Sequence, residues 1–215
     1  MKIKPFKLER YFAKYEFTVK YLLSCSDCEP LLLSEVLEMA DTESLKLWEN
    51  LKLAYTESSG HPLLKEEITK LYAAIEPKNL NVMVPEEAIF VAMNCMLRKG
   101  DHVVTTFPGY QSLYEVAKSL GCRVSKWIPE FDRDWKFDLE TLKTLINEET
   151  KLLVINFPHN PTGATVSISD LNEIIELCRV NNVLLFSDEM YRFLEYNEKD
   201  RLPSACDLYE NAISL

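Results

Sequence analysis

From residue 81 onward, short apolar runs alternate with longer segments whose apolar residues recur at helical spacing. Strand-like runs are predicted at residues 81–84, 101–106, 123–128, 151–155 and 183–186, with the start of a further strand at 212–215. Helices are predicted at residues 86–97, 111–120, 139–146 and 169–181, with a helix end at 207–211. Strands that are separated by helices form a mostly parallel sheet with both faces covered. The pattern therefore predicts an α/β protein with a three-layer αβα architecture.

The beginning of the chain has a different pattern. Aromatic residues recur at helical spacing over residues 8–21, and a second, shorter helical pattern covers 31–39. A turn-rich break then precedes an amphipathic helix predicted over 63–75. We interpret residues 1–45 as an N-terminal helical arm and residues 46–215 as the sheet-containing domain.

Composition and charge narrow the classes of partner. The 215 residues include 24 basic and 34 acidic side chains, which give a formal net charge of −10. Nucleic acid and anionic membrane surfaces are therefore not expected as partners. No apolar run reaches the length of a transmembrane helix, and no signal-peptide core follows the basic N-terminus. A cytoplasmic protein is expected.

The cysteines, histidines and glycines limit the kinds of site. Six scattered cysteines suggest reduced thiols, and the pair Cys25 and Cys28 lacks a second pair or a His-x-His partner. Small apolar residues are favoured there over a zinc or redox site. The histidines, His61, His102 and His159, are not spaced as metal ligands, so no metal is predicted. None of the five glycines forms Gly-x-Gly, which excludes a dinucleotide fingerprint and a P-loop.

Two polar strings follow predicted strands. Asn-Phe-Pro-His-Asn-Pro-Thr-Gly occupies residues 156–163, and Ser-Asp-Glu-Met-Tyr occupies residues 187–191. Open α/β sheets bind ligands at the carboxyl ends of their strands. In this order on a βαβ unit, the two strings resemble the class I/II aminotransferases, which are fold-type I enzymes that depend on pyridoxal 5'-phosphate (PLP).

Asp188 ends a strand rich in Val, Leu and Phe, so its carboxylate is expected to be largely buried, and a buried charge needs a partner. Taken alone, it is more simply interpreted as a helix N-cap or a satisfied turn residue. The resemblance implies instead that Asp188 pairs with the protonated ring nitrogen of PLP, so that the ring acts as an electron sink. It also implies that Asn160 and Tyr191 donate hydrogen bonds to the phenolic oxygen of PLP.

Three further residues resemble positions of this family. Tyr110 follows Phe-Pro-Gly after the strand predicted at 101–106 and resembles the aromatic ring that stacks on PLP. A ring that only packs in the core is the alternative. Tyr55 resembles a tyrosine that reaches the cofactor phosphate of the partner subunit, and Gly60 resembles the loop glycine beside the substrate carboxylate.

One segment departs from the family pattern. The family has a glycine-containing turn whose backbone amides hold the PLP phosphate at a helix N-terminus, whereas this chain has Val84-Pro85-Glu86-Glu87. Proline has no amide hydrogen, and two carboxylates repel a dianion. The segment is also a good helix start in its own right. His159, inside the Asn160 turn, fits a supporting or substrate-facing role and equally an exposed turn position.

The resemblance covers residues 50–215 and implies a homodimeric PLP-dependent aminotransferase, which transfers an amino group between an amino acid and a 2-keto acid. Residues 46–215 then correspond to the N-terminal part of the large PLP-binding domain, and residues 1–45 to part of the small domain. No lysine after Asp188 has the context of the Schiff-base lysine, so no catalytic residue is assigned and the chain is interpreted as a truncated portion. The alternatives are a non-catalytic fragment or degenerate paralogue, and another fold-type I PLP enzyme such as a lyase, cyclase or decarboxylase.

Overall fold

A computed structural model describes residues 2–215. Within these residues the α-helices are α1 (Lys7–Tyr15), α2 (Leu33–Glu38), α3 (Thr42–Glu49), α4 (Pro62–Thr69), α5 (Pro85–Met96), α6 (Ser112–Ser119), α7 (Leu139–Leu145), α8 (Ile168–Val180) and α9 (Ala205–Leu208). The β-strands are β1 (His102–Thr106), β2 (Arg123–Trp127), β3 (Thr150–Asn156), β4 (Leu184–Asp188) and β5 (Ala212–Ser214). Short 3₁₀ helices lie at Pro77–Asn79, Phe131–Arg133 and Glu198–Asp200.

The five strands form one parallel sheet in the order β2-β1-β3-β4-β5. Val104 of β1 lies beside Leu153 of β3, which in turn lies beside Leu185 of β4. After β1 the chain moves outward to β2, and it then returns to the other side of β1 to form β3. The strand order therefore reverses between β1 and β3, and such a switch point opens a crevice at the carboxyl ends of the strands.

Helices cover both faces of this sheet, which confirms the predicted αβα architecture. On one face, Ile89 of α5 and Val116 of α6 belong to one buried cluster with residues of β1, β3 and β4. On the other face, Leu142 of α7 and Ile174 of α8 belong to a second buried cluster. Each such side chain contributes about 1.5–3 kcal/mol when it is fully buried. The two clusters pack against opposite faces of the sheet and so fix the positions of its strands.

Polar side chains fix the starts of the helices behind the sheet. The Asp138 carboxylate accepts a hydrogen bond from the Thr141 amide at 2.8 Å, which caps α7. The Ser167 hydroxyl accepts from the Asp170 amide at 3.0 Å, and the Asp170 side chain accepts from the Ser167 amide in return. Because such caps satisfy amides that a helix leaves unpaired, they set where α7 and α8 begin.

The strand predicted at residues 81–84 is wrong. The amide of Val82 donates to the carbonyl of Ser59 at 3.0 Å, so this segment pairs with a loop and not with a sheet ladder. The following residue, Pro85, begins α5 and cannot donate a backbone hydrogen bond. An apolar run of this length does not distinguish a strand from an extended connection.

The helix predicted over residues 63–75 is shorter in the structure, because α4 ends at Thr69. The Asp207 carboxylate accepts hydrogen bonds from the amides of Ala73 and Ala74 at 2.9 and 2.8 Å. These amides would otherwise continue the helix. A residue far along the chain therefore binds the segment after α4 in a non-helical conformation.

By packing, the chain divides into two compact units, which are the first six residues together with Ser59–Leu215, and Lys7–Ser58. The second unit contains α1, α2 and α3, and none of its side chains is buried. Within residues 2–215, no helix has the length and apolar character needed to cross a membrane.

The helices of this second unit differ in part from the prediction. Helix α1 covers only the first part of the helix predicted over residues 8–21, whereas α2 lies within the pattern at 31–39. Helix α3 was not predicted. Its start is marked by Asp41, whose carboxylate accepts from the Ser44 amide at 2.7 Å, and not by apolar periodicity.

Candidate functional site

Three predicted residues follow neighbouring strands at the switch point of the sheet. Tyr110 lies in the loop after β1, Asn160 lies in the turn after β3, and Asp188 is the last residue of β4. Because the strands are parallel, these segments meet at the same edge of the sheet. The hydrogen bonds between the segments determine how the side chains are arranged.

Asn156, the last residue of β3, joins the end of β4 to the following turn. Its side chain is buried, and its Nδ2 donates to the backbone carbonyl of Asp188 at 3.0 Å. Its Oδ1 accepts from the backbone amide of Asn160 at 2.8 Å. Asn156 belongs to the motif at residues 156–163, but no role was predicted for it from the sequence. The available signal was a polar residue at the end of an otherwise apolar strand.

The side chains of Asn160 and Tyr191 are in contact. Both were predicted to donate hydrogen bonds to the phenolic oxygen of the cofactor. The side-chain amide of Asn160 donates to the phenolic oxygen of Tyr191 at 3.2 Å. The two residues lie on different segments and are both partly buried. The pair brings an amide and a phenol to one point, which is a donor set suited to an anionic oxygen.

Asp188 is a buried carboxylate, with 6% of its surface exposed. Its Oδ1 accepts from the backbone amide of Met190 at 3.2 Å, which is the turn hydrogen bond of the simpler interpretation. Burial raises the pKa of Asp188 to about 6, and the charge of Glu189 adds to this rise while the Met190 amide opposes it. Among residues 2–215, no lysine, arginine or histidine forms an ion pair with it. The site thus contains a buried acid suited to a cationic ligand group.

The Tyr110 ring packs against a residue near the N-terminus of the chain, Phe6. Its centroid lies 4.7 Å from that of Phe6, with 71° between the ring planes, an edge-to-face arrangement. The adjacent Gln111 side chain donates to the carbonyl of Pro5 at 3.0 Å. The ring also packs partly against the cluster beneath α5 and α6. Sequence reasoning did not foresee the contact with Phe6, because nothing local connects residues so far apart.

His159 is buried, with 2% of its surface exposed, so the exposed turn position considered from the sequence is wrong. Its Nε2 lies 2.7 Å from the carbonyl oxygen of Pro108, and its Nδ1 lies 2.7 Å from the Thr162 hydroxyl. Its ring also makes an edge contact with Phe137 at 4.8 Å. Burial lowers the pKa of His159 to about 4, so the ring is neutral near pH 7.

The first turn of α5 carries negative charge. Pro85 is its first residue, and Glu86 and Glu87 follow it. The Glu86 carboxylate accepts a hydrogen bond from the Ser112 hydroxyl at the start of α6. A cavity of about 500 Å³ next to this turn is lined by Glu86, Glu87 and Glu115, among others, and Asp188 does not line it. These groups disfavour a dianion at this position.

The two weaker family positions differ in their surroundings. Tyr55 is fully exposed. Gly60 has φ of +108°, and a Cβ atom there would lie 2.4 Å from Cγ2 of Val82. Only glycine therefore fits this position without a shift of the chain.

Cys25 and Cys28 are free and exposed. No group of three or more metal-binding side chains was found in the described part of the chain.

Known proteins resemble this chain in sequence and in fold. The profile of the family described as aminotransferase class I and II matches residues 36–213. A glutamate-pyruvate aminotransferase from Haemophilus influenzae is 37% identical over 112 residues, which are 52% of this chain and 28% of that protein. An aspartate aminotransferase from Geobacillus stearothermophilus is 35% identical over 146 residues, which are 65% of this chain and 37% of that protein.

Among solved structures, a PLP-dependent aminotransferase from Streptococcus suis has a TM-score of 0.89 and 31% sequence identity. The match covers 100% of this chain and 57% of that one. The chain therefore spans little more than half of this structural relative, and a smaller share of the two curated relatives.

Proposed function

The chain belongs to the class I and II aminotransferases, and from this membership we propose that the protein containing it binds PLP and transfers an amino group from an amino acid to a 2-keto acid. The observation that carries the proposal is the buried carboxylate of Asp188, which has no cationic partner in the described chain, next to the segments that bear the Asn160–Tyr191 pair. When bound, PLP supplies a protonated ring nitrogen and an electron sink for a carbanion at the substrate Cα.

Asp188 holds negative charge opposite that ring nitrogen. Burial without a counter-ion shifts a carboxylate toward its protonated form, and a pKa of about 6 still leaves Asp188 mostly ionised near pH 7. A cationic group within about 4–6 Å would favour the ionised form again. The residue is thus suited to a ligand that brings its own positive charge, and such a ligand would lower the pKa of Asp188 again.

Asn160 and Tyr191 orient the same ligand from its other side. Their hydrogen bond at 3.2 Å keeps both groups at one point, where they donate to the phenolic oxygen of the cofactor. Tyr110 supplies a flat face against the ring, and its contact with Phe6 limits the rotation of its side chain. These residues bind and orient the ring, and the chain's own groups move no proton in this assignment.

The phosphate of the cofactor is not assigned to the start of α5. Pro85 offers no amide hydrogen, and the carboxylates of Glu86 and Glu87 lie in the same turn. We assign it in part to Tyr55 of a second subunit, because the Tyr55 side chain is exposed and able to reach beyond its own chain. Gly60 is proposed to lie beside the substrate carboxylate, in a loop that only glycine fits.

The same proposal covers the organisation of the whole protein. We propose a cytoplasmic homodimer, with residues 46–215 in the large PLP-binding domain and residues 1–45 in the small domain. Free cysteines throughout the described chain support a reducing location. The lysine that carries PLP is proposed to lie outside these residues, since Lys199 after β4 is exposed in a polar 3₁₀ turn.

The named relatives favour transamination over the lyase, cyclase and decarboxylase alternatives. They are a glutamate-pyruvate aminotransferase and an aspartate aminotransferase, with different amino acid substrates. We therefore propose an amino acid and a 2-keto acid as the substrate class, without choosing among amino acids.

The test uses the longest natural protein that contains this sequence. The purified protein is mixed with PLP, reduced with borohydride, and mapped by mass spectrometry, while a panel of amino acids is assayed for conversion to keto acids. We expect one labelled lysine and turnover of at least one amino acid. If the protein neither binds PLP nor converts any amino acid, the proposal is contradicted. The non-catalytic alternative is then favoured.

A further inference from the structure

His159 connects two segments that the proposed function uses. It precedes Asn160 in the turn after β3, and its ring nitrogen bonds to Pro108, two residues before Tyr110 in the loop after β1. The two loops follow different strands, β1 and β3, which lie on either side of the switch point. The ring therefore forms a direct bridge across the crevice where the predicted cofactor residues lie.

The directions of the hydrogen bonds follow from the partners. A backbone carbonyl only accepts, so Nε2 of His159 carries the hydrogen and donates it to Pro108. In a neutral ring Nδ1 then accepts, and the Thr162 hydroxyl donates to it. The Thr162 oxygen in turn accepts from the Ala164 amide at 3.2 Å. Every member of this chain of hydrogen bonds has a suitable partner, which fixes one tautomer and one orientation of the ring.

Packing adds to this constraint. The His159 ring meets Phe137 edge to face at 4.8 Å, and Phe137 in turn contacts Trp127 and Phe157. The ring is therefore clamped between an aromatic cluster and two hydrogen bonds. A group held in this way transmits a shift of one loop directly to the other, because closely packed interiors yield little.

We infer that His159 is a positioning residue, which sets Tyr110 and Asn160 relative to each other so that both meet the same cofactor ring. This inference rests on the proposed function for its consequence, since the two residues matter together only if they hold one ligand. The geometric part, a coupling between the two loops, stands on the contacts of His159 alone.

The chain provides a matched control in His102. This second buried histidine lies at the opposite end of the sheet, where its ring nitrogens lie 2.8 Å from the hydroxyls of Thr150 and Ser125. His102→Phe and His159→Phe each replace a buried, doubly hydrogen-bonded imidazole with an apolar ring. A purely structural role predicts that both variants lose stability and that neither changes cofactor binding selectively.

The experiment measures PLP dissociation constants and apo-protein melting temperatures for the wild type and for both variants, in the longest natural protein that contains the sequence. We expect about tenfold weaker PLP binding by His159→Phe, because the hydrogen bond between the loops and the bond that orients the ring within its own turn are both lost, and unchanged binding by His102→Phe. Thr162→Val removes the donor to Nδ1 and the acceptor of the Ala164 amide but keeps the hydrogen bond between the loops, so it is expected to weaken binding by a smaller factor. Equal PLP affinity of the wild type and His159→Phe would overturn the inference and leave the proposed function intact.

A second measurement separates the two ideas if folding or PLP binding fails. Amide resonances of apo protein report the coupling directly: Thr162→Val should shift the signals of Asn160 and of Tyr110, whereas Thr150→Val should shift neither. If the wild type binds no PLP but Thr162→Val shifts both signals, the proposed function is overturned and the link between the loops is kept. Shifts confined to the Asn160 turn would overturn the link.

Discussion

Two buried ionisable residues at opposite ends of the parallel sheet, His102 and Asp188, have different surroundings. At the amino end, His102 meets the hydroxyls of Thr150 and Ser125, and the three groups satisfy one another. At the carboxyl end, Asp188 keeps a buried carboxylate with one backbone amide as its side-chain hydrogen-bond partner. The first arrangement satisfies its polar groups, whereas a buried carboxylate without a cationic partner costs free energy on folding. The difference supports the proposal that the carboxyl end of the sheet binds the ligand.

The largest effect is expected at Asp188. If the longest natural protein that contains this chain has the proposed activity, Asp188→Ala should lower its turnover by about 10²–10⁴-fold or more, because a positioned electrostatic group is lost from the site. Asp188→Glu, which keeps the charge, should do less damage. Steady-state kinetics and circular dichroism on the purified variants check this. Near-normal turnover by a folded Asp188→Ala variant would remove the distinction between the two ends.

The pH dependence of stability should separate the two titrating groups at the carboxyl end. The pKa of Asp188 is about 6 in the folded chain, against an ordinary value of 3.8. Its contribution to stability is full below pH 3.8 and is lost as the pH rises through 6. The pKa of His159 is about 4, against 6.5, so its contribution is full above pH 6.5 and is lost as the pH falls through 4.

These two contributions oppose each other in the apo protein. We expect the free energy of unfolding of Asp188→Asn to rise relative to that of the wild type by about 3 kcal/mol between pH 4 and pH 6.5, at about 1.4 kcal/mol per pKa unit. His159→Phe should fall relative to the wild type by a similar amount over the same range. Urea denaturation at several pH values measures both. Parallel profiles for the wild type and both variants would contradict the assignment of these groups.

A smaller effect is expected from the pair that shares one hydrogen bond. Asn160→Ala and Tyr191→Phe should each weaken PLP binding by about tenfold, since each removes one polar contact from the ligand. Their double variant should lose less than the two single effects combined, with a coupling energy of about 0.5–3 kcal/mol. PLP titrations of the four proteins complete the cycle. Strict additivity would mean that the two groups do not act on the same atom.

The smallest effect on the site is expected from the amino end. Thr150→Val removes the hydroxyl that lies next to His102 and accepts from the Asn147 amide at 2.9 Å. It should cost about 1–3 kcal/mol of stability, because buried polar groups lose a partner, and it should leave the PLP dissociation constant unchanged. Thermal unfolding and PLP titration check both parts. A large loss of PLP affinity would show that the ends of the sheet are not independent.

The sequence predicted the structure best where the local pattern of apolar residues matches the faces that are buried in the fold. The strands and helices from residue 101 onward were predicted close to their observed bounds, because buried strands between capped amphipathic helices have only one stable arrangement. Polar residues at the ends of those strands led to the prediction of Asn160, Asp188 and Tyr191 as site residues, since parallel topology gathers such ends at one edge.

The sequence by itself thus determined the αβα architecture and the family, and it predicted the edge of the sheet at which the ligand is proposed to bind. Tertiary structure alone decided the features that join distant residues: Asp207 accepts hydrogen bonds from two amides of the segment after α4, and Phe6 contacts the Tyr110 ring. It also decided that His159 is buried between two loops. The physical reason is that local periodicity encodes which face of an element is buried, whereas a hydrogen bond or ring contact between remote residues has no local pattern.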